Sequence, residues 1–244
     1  MQATSPLAAG ATASRGPNAP SRRVVDAPTR MFHWLFALSF LGAYVTAESE
    51  RWRLVHVTLG YTLAGLLVFR LIYGLVGPQP ARLSVLWRKL AAIPGWVASM
   101  ARGSALSSTA WRQGQPLAMG VAIAGLLLLV APLTLSGYAT YNDWGGEWLE
   151  EVHEFFGNAF LMVVLAHIAL VVGLSLLRRR NLAIPMITGR MPGAGPDLVR
   201  KNRAWLAALM LLAVIGFGAW QWQQAPAPAG EGASTGRAHS DDDD

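Results

Sequence analysis

Residues 152–177 read VHEFFGNAFLMVVLAHIALVVGLSLL, an apolar run in which Glu154 is the one acidic side chain. A helix needs roughly 20 apolar residues to cross a hydrocarbon core of about 30 Å, and this run is longer than that. In lipid only helices and closed barrels satisfy their backbone hydrogen bonds, and the length and Leu/Ala content of the run favour a helix. The stretch therefore predicts a membrane-spanning segment.

Four further stretches have the same character, and together the five predict an all-α integral membrane protein. They lie at 28–47 (or 31–47), 55–76, 117–138 and 204–222. The composition agrees, because 53% of the 244 residues are apolar and 14% are charged, whereas soluble domains carry about a quarter charged residues. Cysteine is absent, which excludes disulfides, iron–sulfur clusters, thiolate-bound haem and haem attached through cysteine.

The charged residues lie between the apolar segments, so we attribute the net charge of +6 to basic loops that orient the protein in the membrane. We therefore expect no nucleic-acid partner. Three segments are basic: the first 30 residues, the loop between the second and third spans, and 178–203. The loop between the third and fourth spans is acidic, with Asp143, Glu147, Glu150, Glu151 and Glu154. The positive-inside rule predicts a cytoplasmic N-terminus and a C-terminus on the opposite side.

The two ends of the chain are predicted to be disordered. Residues 1–24 lack the apolar core of a signal peptide and are expected to form a cytoplasmic tail. Residues 191–203 are expected to be a basic cytoplasmic linker, and 223–244 a polar tail on the other side of the membrane.

Four of the five histidines, His33, His56, His153 and His167, lie within or at the mouth of a predicted span. Taken singly, each is more often a hydrogen-bonded core residue than a ligand. His153 and His167 are fourteen residues apart, which in a helix places both on nearly one face at depths about 21 Å apart. His56 begins its span near the outer surface, and His33 lies about 22 Å below that surface. The spacing predicts an outer pair, His56 with His153, and an inner pair, His33 with His167.

Paired imidazoles on opposite helices can supply both axial ligands of a haem, and a flat apolar macrocycle suits the interior of a helix bundle. A closed zinc site needs four ligands on one ion, and the two layers are too far apart to share one. A proton relay is a weaker alternative, since the carboxylates lie at the ends of the spans. The pattern predicts two bis-histidine haems.

Two arginines lie near the depth of the inner histidine pair. Arg30 is one turn before His33, and Arg70 is fourteen residues after His56, which puts it on nearly the same face of its helix. Two interpretations stay open for each. The side chain reaches towards the cytoplasmic interface, or it contacts a haem propionate, with a quinone as a further candidate for Arg70.

The segments VVDAPTRMFHWLFALSFLGAYVTAE (24–48) and RWRLVHVTLGYTLAGLLVFRLIYGLVGP (51–78) contain the motifs R-x-F-H-W and V-H-x-x-x-G. The segment LSGYATYNDWGGEWLEEVHEFFGNAFLMVVLAHIALVVGLSLLRRRNLAIPMITGR (135–190) contains H-E followed fourteen residues later by the histidine of A-H. These stretches resemble the bacterial cytochrome b561 family, in the branch of the b-type cytochrome subunits of nickel–iron hydrogenases.

The resemblance implies an integral membrane four-helix di-haem bundle at 25–190. The predicted fifth, C-terminal transmembrane helix at 204–222 lies beyond the resemblance and is a candidate for docking a partner. It implies two haem b groups held by the four histidines, and a location in a bacterial inner membrane. It further implies electron transfer between quinone and a periplasmic redox protein, such as a c-type cytochrome or a hydrogenase-like subunit. Some relatives instead oxidise superoxide at the periplasmic face and reduce quinone, and this is the alternative function.

Overall fold

The computed structural model describes residues 20–104 and 108–224, and within them the chain is almost entirely helical. The α-helices are α1 (Ala27–Thr46), α2 (Arg53–Val76), α3 (Leu83–Ala91), α4 (Ile93–Ser99), α5 (Ser108–Tyr141), α6 (Glu147–Leu177), α7 (Ile184–Thr188) and α8 (Ala204–Gln224). Two short strands, β1 (Ser21–Arg23) and β2 (Arg190–Pro192), form an antiparallel pair. The all-α prediction is confirmed apart from this small ribbon.

Four helical segments of the described residues are long and apolar enough to cross a membrane: Glu50–Val76, Arg112–Tyr141, Glu147–Leu177 and Ala204–Gln224. The C-terminal helix is therefore one of the four. The prediction of five spans is not shown in full, because α1 is not among them. Arg30 and His33 lie in the first two turns of α1, and two such polar side chains lower the hydropathy of a short helix.

The surface of the long helices is apolar, as expected of segments that face lipid. Little of each candidate span is buried within the protein, from 11% of its most apolar window in α6 and α8 to 33% in Glu50–Val76. Leu128, Leu135 and Leu176 are each at least two-thirds exposed. In water, a protein with such a surface would aggregate. In a bilayer, exposing these apolar side chains to lipid has no free-energy cost.

A bundle of α1, α2, α5 and α6 forms the core of the molecule. Its centre is a cluster of fully or nearly fully buried side chains drawn from all four helices: Phe40, Leu63, Val130, Leu133 and Phe160. Phe40 of α1 and Phe160 of α6 have ring centroids 4.5 Å apart. This contact closes the bundle, because α1 also packs along α2, and α5 packs along both α2 and α6.

The helix ends follow local signals in the sequence. Asp26 caps α1, its carboxylate accepting a hydrogen bond from the Thr29 backbone N–H at 3.3 Å, and Pro28 occupies the first turn, where its missing N–H costs nothing. Gly189 ends α7 with a left-handed backbone (φ 76°), the conformation that glycine adopts most readily.

The segment between α2 and α5 is more ordered than a simple loop. It contains α3 and α4, with a 3-10 turn at Gln79–Ala81 and a π-helical turn at Met100–Ser104. Helix α3 is amphipathic: Arg88 and Lys89 lie in its last turn and Trp87 is 71% exposed. A short helix of this kind lies along a membrane surface rather than across it.

Two of the predicted tail and linker regions are partly folded. Ser21–Arg23 was expected to be disordered, but its backbone pairs with Arg190–Pro192, at the boundary between the predicted bundle and the predicted linker, in the register Arg22 opposite Met191. The backbone hydrogen bonds of the ribbon give both segments a structure that their composition does not predict. Residues 1–19 and 225–244, the rest of the predicted tails, lie outside the described residues.

Candidate functional site

The outer pair consists of His56 in the first turns of α2 and His153 in the first turns of α6. Their ring centroids are 6.0 Å apart and their planes are 86° from parallel. Bonds from a first-row metal to imidazole nitrogen are about 2 Å long, so two rings that share one metal have centroids about 6 Å apart. The separation therefore matches two ligands of one iron atom.

Both outer imidazoles are oriented by backbone carbonyls. The Nδ1 atom of His56 lies 2.8 Å from the carbonyl oxygen of Ala43 on α1, and the Nδ1 atom of His153 lies 3.0 Å from that of Leu133 on α5. A carbonyl oxygen can only accept, so each Nδ1 carries the proton and each Nε2 has a free lone pair. Histidines that bind metals generally donate the other ring N–H in this way, which sets the tautomer and the ring orientation.

Gly137 allows α5 to approach the His153 ring. A Cβ atom at this position would lie 2.7 Å from the ring atom Cε1, closer than real Cβ contacts allow. Ser136, the residue before it, is buried, and its hydroxyl oxygen lies 3.3 Å from the Nδ1 atom of His153. Sequence reasoning did not single out either residue, since a glycine in a span is usually explained by helix packing.

The predicted inner pair consists of His33 on α1 and His167 on α6, two helices that meet at the Phe40–Phe160 contact. Among the described residues, each ring has a buried Nδ1 atom with no hydrogen-bond partner. Buried polar atoms in proteins are almost always satisfied. The two nitrogens therefore fit a site at which the imidazoles bind a further group.

The two histidine pairs are separated by the apolar centre of the bundle. Phe160 lies seven residues from both His153 and His167, and Phe40 lies seven residues after His33. Seven residues are about two helical turns, or roughly 10 Å. The aromatic contact of Phe40 with Phe160 thus occupies the layer between the pairs, a position that the histidine spacing alone does not assign to any side chain.

The predicted arginines both lie near the inner end of the bundle. One terminal nitrogen of Arg30 donates to the Ile187 carbonyl oxygen at 2.8 Å, and its Nε is buried without a partner among the described residues. Arg70 donates from one terminal nitrogen to the Ala81 carbonyl oxygen at 2.9 Å. Ala81 lies in the segment between α2 and α3, so the Arg70 side chain extends towards the end of the bundle. This is expected of an arginine whose charged group lies at the membrane interface.

The arrangement suits a haem rather than a bare metal ion. Among the described residues no group of three or more His, Cys, Asp or Glu side chains could hold a metal ion. A bis-histidine haem needs only two protein ligands, since the porphyrin supplies the other four nitrogens. The structure places the rings of His56 and His153 6.0 Å apart, and it places His33 and His167 on neighbouring helices of the same bundle. That these four histidines hold haem stays a prediction.

Four apolar segments that can span a membrane, with partly buried histidines facing one another in the helix bundle, define the molecule as a multi-pass membrane protein of the kind that carries haem. Residues 24–189 match the model of the family described as prokaryotic cytochrome b561. The chain belongs to this family of membrane electron carriers, and the family implies haem b as its cofactor.

A distant relative is the probable Ni/Fe-hydrogenase B-type cytochrome subunit of Bradyrhizobium diazoefficiens. It is 25% identical over 182 residues, which cover 63% of this chain and 71% of the relative. No solved structure matches the chain. The matched region ends before α8, so the C-terminal helix is not part of what the family model describes.

Proposed function

We propose that this protein carries electrons through the membrane between a quinone pool and a redox partner on the periplasmic side, using two haem b groups in the bundle at 25–190. His56 and His153 would bind the outer haem, and His33 and His167 the inner one. The observation that carries the proposal is the 6.0 Å separation of the outer rings, with both Nδ1 atoms held by carbonyl oxygens.

When bound, haem supplies one-electron chemistry, and the protein's contribution is ligation, burial and charge. The carbonyl oxygens of Ala43 and Leu133 keep the outer imidazoles in the tautomer that presents Nε2 to iron. Phe40 and Phe160 fill the layer between the pairs and exclude water from it.

We propose that Arg30 and Arg70 contribute positive charge beside the propionates of the inner haem. The buried Nε of Arg30 has no other described partner, and a carboxylate is the acceptor that would satisfy it. Arg70 gives one of its five N–H donors to Ala81, which leaves others for a propionate. A quinone near Arg70 is the second interpretation of that residue.

We also propose five spans, with α1 as the first, and the N-terminus in the cytoplasm of a bacterial cell. Helix α1 supplies Phe40 to the core and His33 to the inner pair, so it has to lie beside α2 and α6 at membrane depth. Five spans put the two ends of the chain on opposite sides. The basic segments then all lie on the cytoplasmic side.

The periplasmic partner is proposed to be a basic redox protein, either a c-type cytochrome or a hydrogenase-like subunit. The α5–α6 turn and the first turns of α6 expose five acids beside the outer pair, and His153 lies in the same helical turns as several of them: Asp143, Glu147, Glu150, Glu151 and Glu154. Such a patch attracts a positively charged surface and steers its approach. The name of the Bradyrhizobium relative supports the hydrogenase-like choice.

The same acidic patch counts against superoxide as the substrate. Superoxide is an anion, and the five exposed carboxylates of the patch outnumber the exposed Arg51 and Arg53 at the same end of the bundle, so the net charge there repels it. A superoxide oxidase of this fold is therefore expected to have a neutral or basic mouth. This reasoning favours electron exchange with a protein partner over the alternative function.

A spectroscopic redox titration with haem counting tests the proposal. We expect two b-type haems in the wild-type protein and the loss of one in His56→Ala, because the outer iron would lose an axial ligand. Thr58→Ala, two residues further along α2, is the matched control and should keep both. Two unchanged haem signals in His56→Ala would refute the ligand assignment.

A further inference from the structure

The outward side of α3, at the inner end of the bundle, takes no part in the proposed electron transfer. Its exposed residues recur at the helical spacing i, i+3, i+4 and i+7: Ser84, Trp87, Arg88 and Ala91. Lys89 borders this row and is half-buried. We call Ser84, Trp87, Arg88 and Lys89 the α3 stripe. It combines a hydroxyl, an indole ring and two cations within two helical turns.

The opposite side of α3 is fixed against two helices of the bundle. Leu83, at the start of α3, packs against Gly74 of α2. One turn later, Leu86 lies 3.9 Å from the position that a Cβ atom would take on Gly120 of α5, and the Cβ atom of Lys89 lies 3.4 Å from it. Helix α3 therefore runs across the end of the bundle from α2 to α5, and the α3 stripe faces outwards.

The two contacts place α3 at the boundary of the hydrocarbon core. Gly74 lies two residues before the end of the second predicted span, 55–76. Gly120 lies three residues after the start of the third, 117–138. Two or three residues are about 3–5 Å of helix, so both contacts lie close to the plane where the apolar core meets the phospholipid head groups. The α3 stripe therefore lies at the level of the phosphates.

The charge beside the α3 stripe has one sign. The chain contains no acidic residue between Glu50 and Asp143. In the parts of the chain that the structure describes, neither Arg88 nor Lys89 has a carboxylate within 4 Å, and neither side chain makes a hydrogen bond to a protein group. Two cations without a protein counter-ion thus lie at the depth of the head groups.

This chemistry selects an anionic phospholipid. Tryptophan is enriched at membrane interfaces, and cations beside the membrane surface attract acidic head groups. A zwitterionic head group brings an ammonium of its own, which two cations without counter-ions repel. A soluble anion would contact the cations and leave the exposed Trp87 ring without a partner. Charge and apolar contact are both satisfied by one lipid molecule.

We propose that the α3 stripe binds the head group of an anionic phospholipid. The phosphate lies between Arg88 and Lys89 and accepts a hydrogen bond from the Ser84 hydroxyl, which is one helical turn from Arg88. The Trp87 ring packs against the glycerol and the first acyl carbons. The proposal is independent of the proposed electron transfer, because it assigns no role to these side chains in holding haem or docking a redox partner.

Photolabelling with defined lipids tests the proposal on the full-length haem-loaded protein in phosphatidylcholine nanodiscs. The probe is phosphatidylglycerol with a diazirine on an upper acyl carbon, and the matched probe is phosphatidylcholine with the same chains. Labelled peptides are identified by mass spectrometry. We expect label on 83–91 to be at least about five times stronger with phosphatidylglycerol. Equal labelling by the two probes, or anionic label confined to other segments, would overturn the proposal.

Two double variants with the same change of charge test whether the site is local. Arg88→Gln with Lys89→Gln is expected to abolish the preference for phosphatidylglycerol at 83–91. Arg200→Gln with Lys201→Gln, at exposed positions before α8, should leave that preference unchanged. Equal losses in the two variants would show that the overall charge of this end, and not the α3 stripe, attracts the lipid.

A charge-preserving variant separates charge from folding. Arg88→Lys with Lys89→Arg keeps both cations on α3 and should retain the preference for phosphatidylglycerol. A loss in this variant as well would contradict a site based on charge. A monodisperse gel-filtration profile and an unchanged thermal unfolding midpoint show that each variant is folded.

A soluble competitor distinguishes a phospholipid from a free anion. Glycerol 1-phosphate carries the phosphate without acyl chains, so a large molar excess of it should leave the labelling of 83–91 unchanged. Unlabelled phosphatidylglycerol should remove the label. Competition by the soluble phosphate would show a general anion site and would reject the phospholipid.

Discussion

Gly137 is the residue whose identity the geometry restricts most sharply. The ring of His153 lies against its Cα, and any side chain there would meet the ring at 2.7 Å. The ring cannot retreat freely, because its Nδ1 is held by the Leu133 carbonyl oxygen. A glycine is needed for close approach rather than for a special backbone angle, since Gly137 lies within the regular helix α5.

The variant Gly137→Ala is expected to displace the His153 ring and to lower occupancy of the outer haem by more than about half. The inner haem should be retained, because His33 and His167 lie about 21 Å deeper by helix rise. Gly173→Ala on α6 is the matched control, since a Cβ atom there meets nothing within 4 Å. The measurement is haem content per protein with a redox titration, and full outer-haem occupancy in Gly137→Ala would contradict the expectation.

The approach of His56 to His153 could be predicted from sequence because helix periodicity converts spacing directly into face and depth. Haem ligation by the four histidines stays a prediction. The contacts of Gly137, Ser136 and the Leu133 carbonyl with the ring of His153 could not be predicted from the sequence. These residues belong to α5, which has no ligand of its own, and only packing places α5 against the ring of His153.

At the scale of the elements, a buried polar cluster joins the ends of three helices. Asp26, the cap of α1, is 1% exposed, and its carboxylate accepts a hydrogen bond from the hydroxyl of Tyr73 on α2. Arg203, the residue before α8, donates to the same hydroxyl at 3.3 Å and lies 3.9 Å from Asp26. Arg203 has a left-handed backbone (φ 47°), a strained conformation that these contacts support.

Replacing Asp26 with alanine is expected to destabilise the protein and to release the inner end of α8. The loss combines a helix cap with a hydrogen bond to a charged group, together about 2–4 kcal/mol. Thermal unfolding and proteolysis of the 193–203 segment measure the two effects. The control is Asp197→Ala: this exposed carboxylate accepts from the Arg23 backbone N–H, and its loss should cost less than about 1 kcal/mol. Equal effects of the two variants would show that the buried cluster has no special role.

Helix α1 shows how an element can be essential to the bundle and still be weakly apolar. It carries Arg30 and His33 in its inner half, and both find neighbours within the protein rather than in lipid. Trp34 likewise donates from its indole N–H to the Met186 carbonyl oxygen at 2.9 Å. Polar side chains in a span are tolerated when they face the bundle, so hydropathy alone underestimates such a helix.

At the scale of the whole molecule, the absence of cysteine makes the orientation directly testable. Exposed Asn142 and Gln79 lie at either end of the segment that contains the candidate span of α5, so single cysteines introduced there would lie on opposite sides of the membrane. In intact bacterial cells, a membrane-impermeant maleimide should label Asn142→Cys. It should label Gln79→Cys only after lysis. The reverse pattern would invert the proposed topology.

The acidic patch at the start of α6 predicts salt-dependent electron exchange with a basic c-type cytochrome. Raising the ionic strength from about 10 mM to about 500 mM shortens the Debye length severalfold, so we expect the bimolecular rate to fall at least about tenfold. A triple variant, Glu147→Gln with Glu150→Gln and Glu151→Gln, should start slower and depend less on salt. Stopped-flow haem spectra measure the rate. A wild-type rate that does not change with salt would remove the steering role.

The sequence by itself determined the membrane class, the approximate ends of the long helices, the two-layer order of the histidines and the family. These depend on periodicity, hydropathy and motif, all of which are local along the chain. The β1–β2 ribbon, the Asp26 cluster, the approach of Gly137 to His153 and the contact of α3 with α5 were decided only by the tertiary structure. Each joins residues distant along the chain, and no local pattern encodes which helix face meets which neighbour.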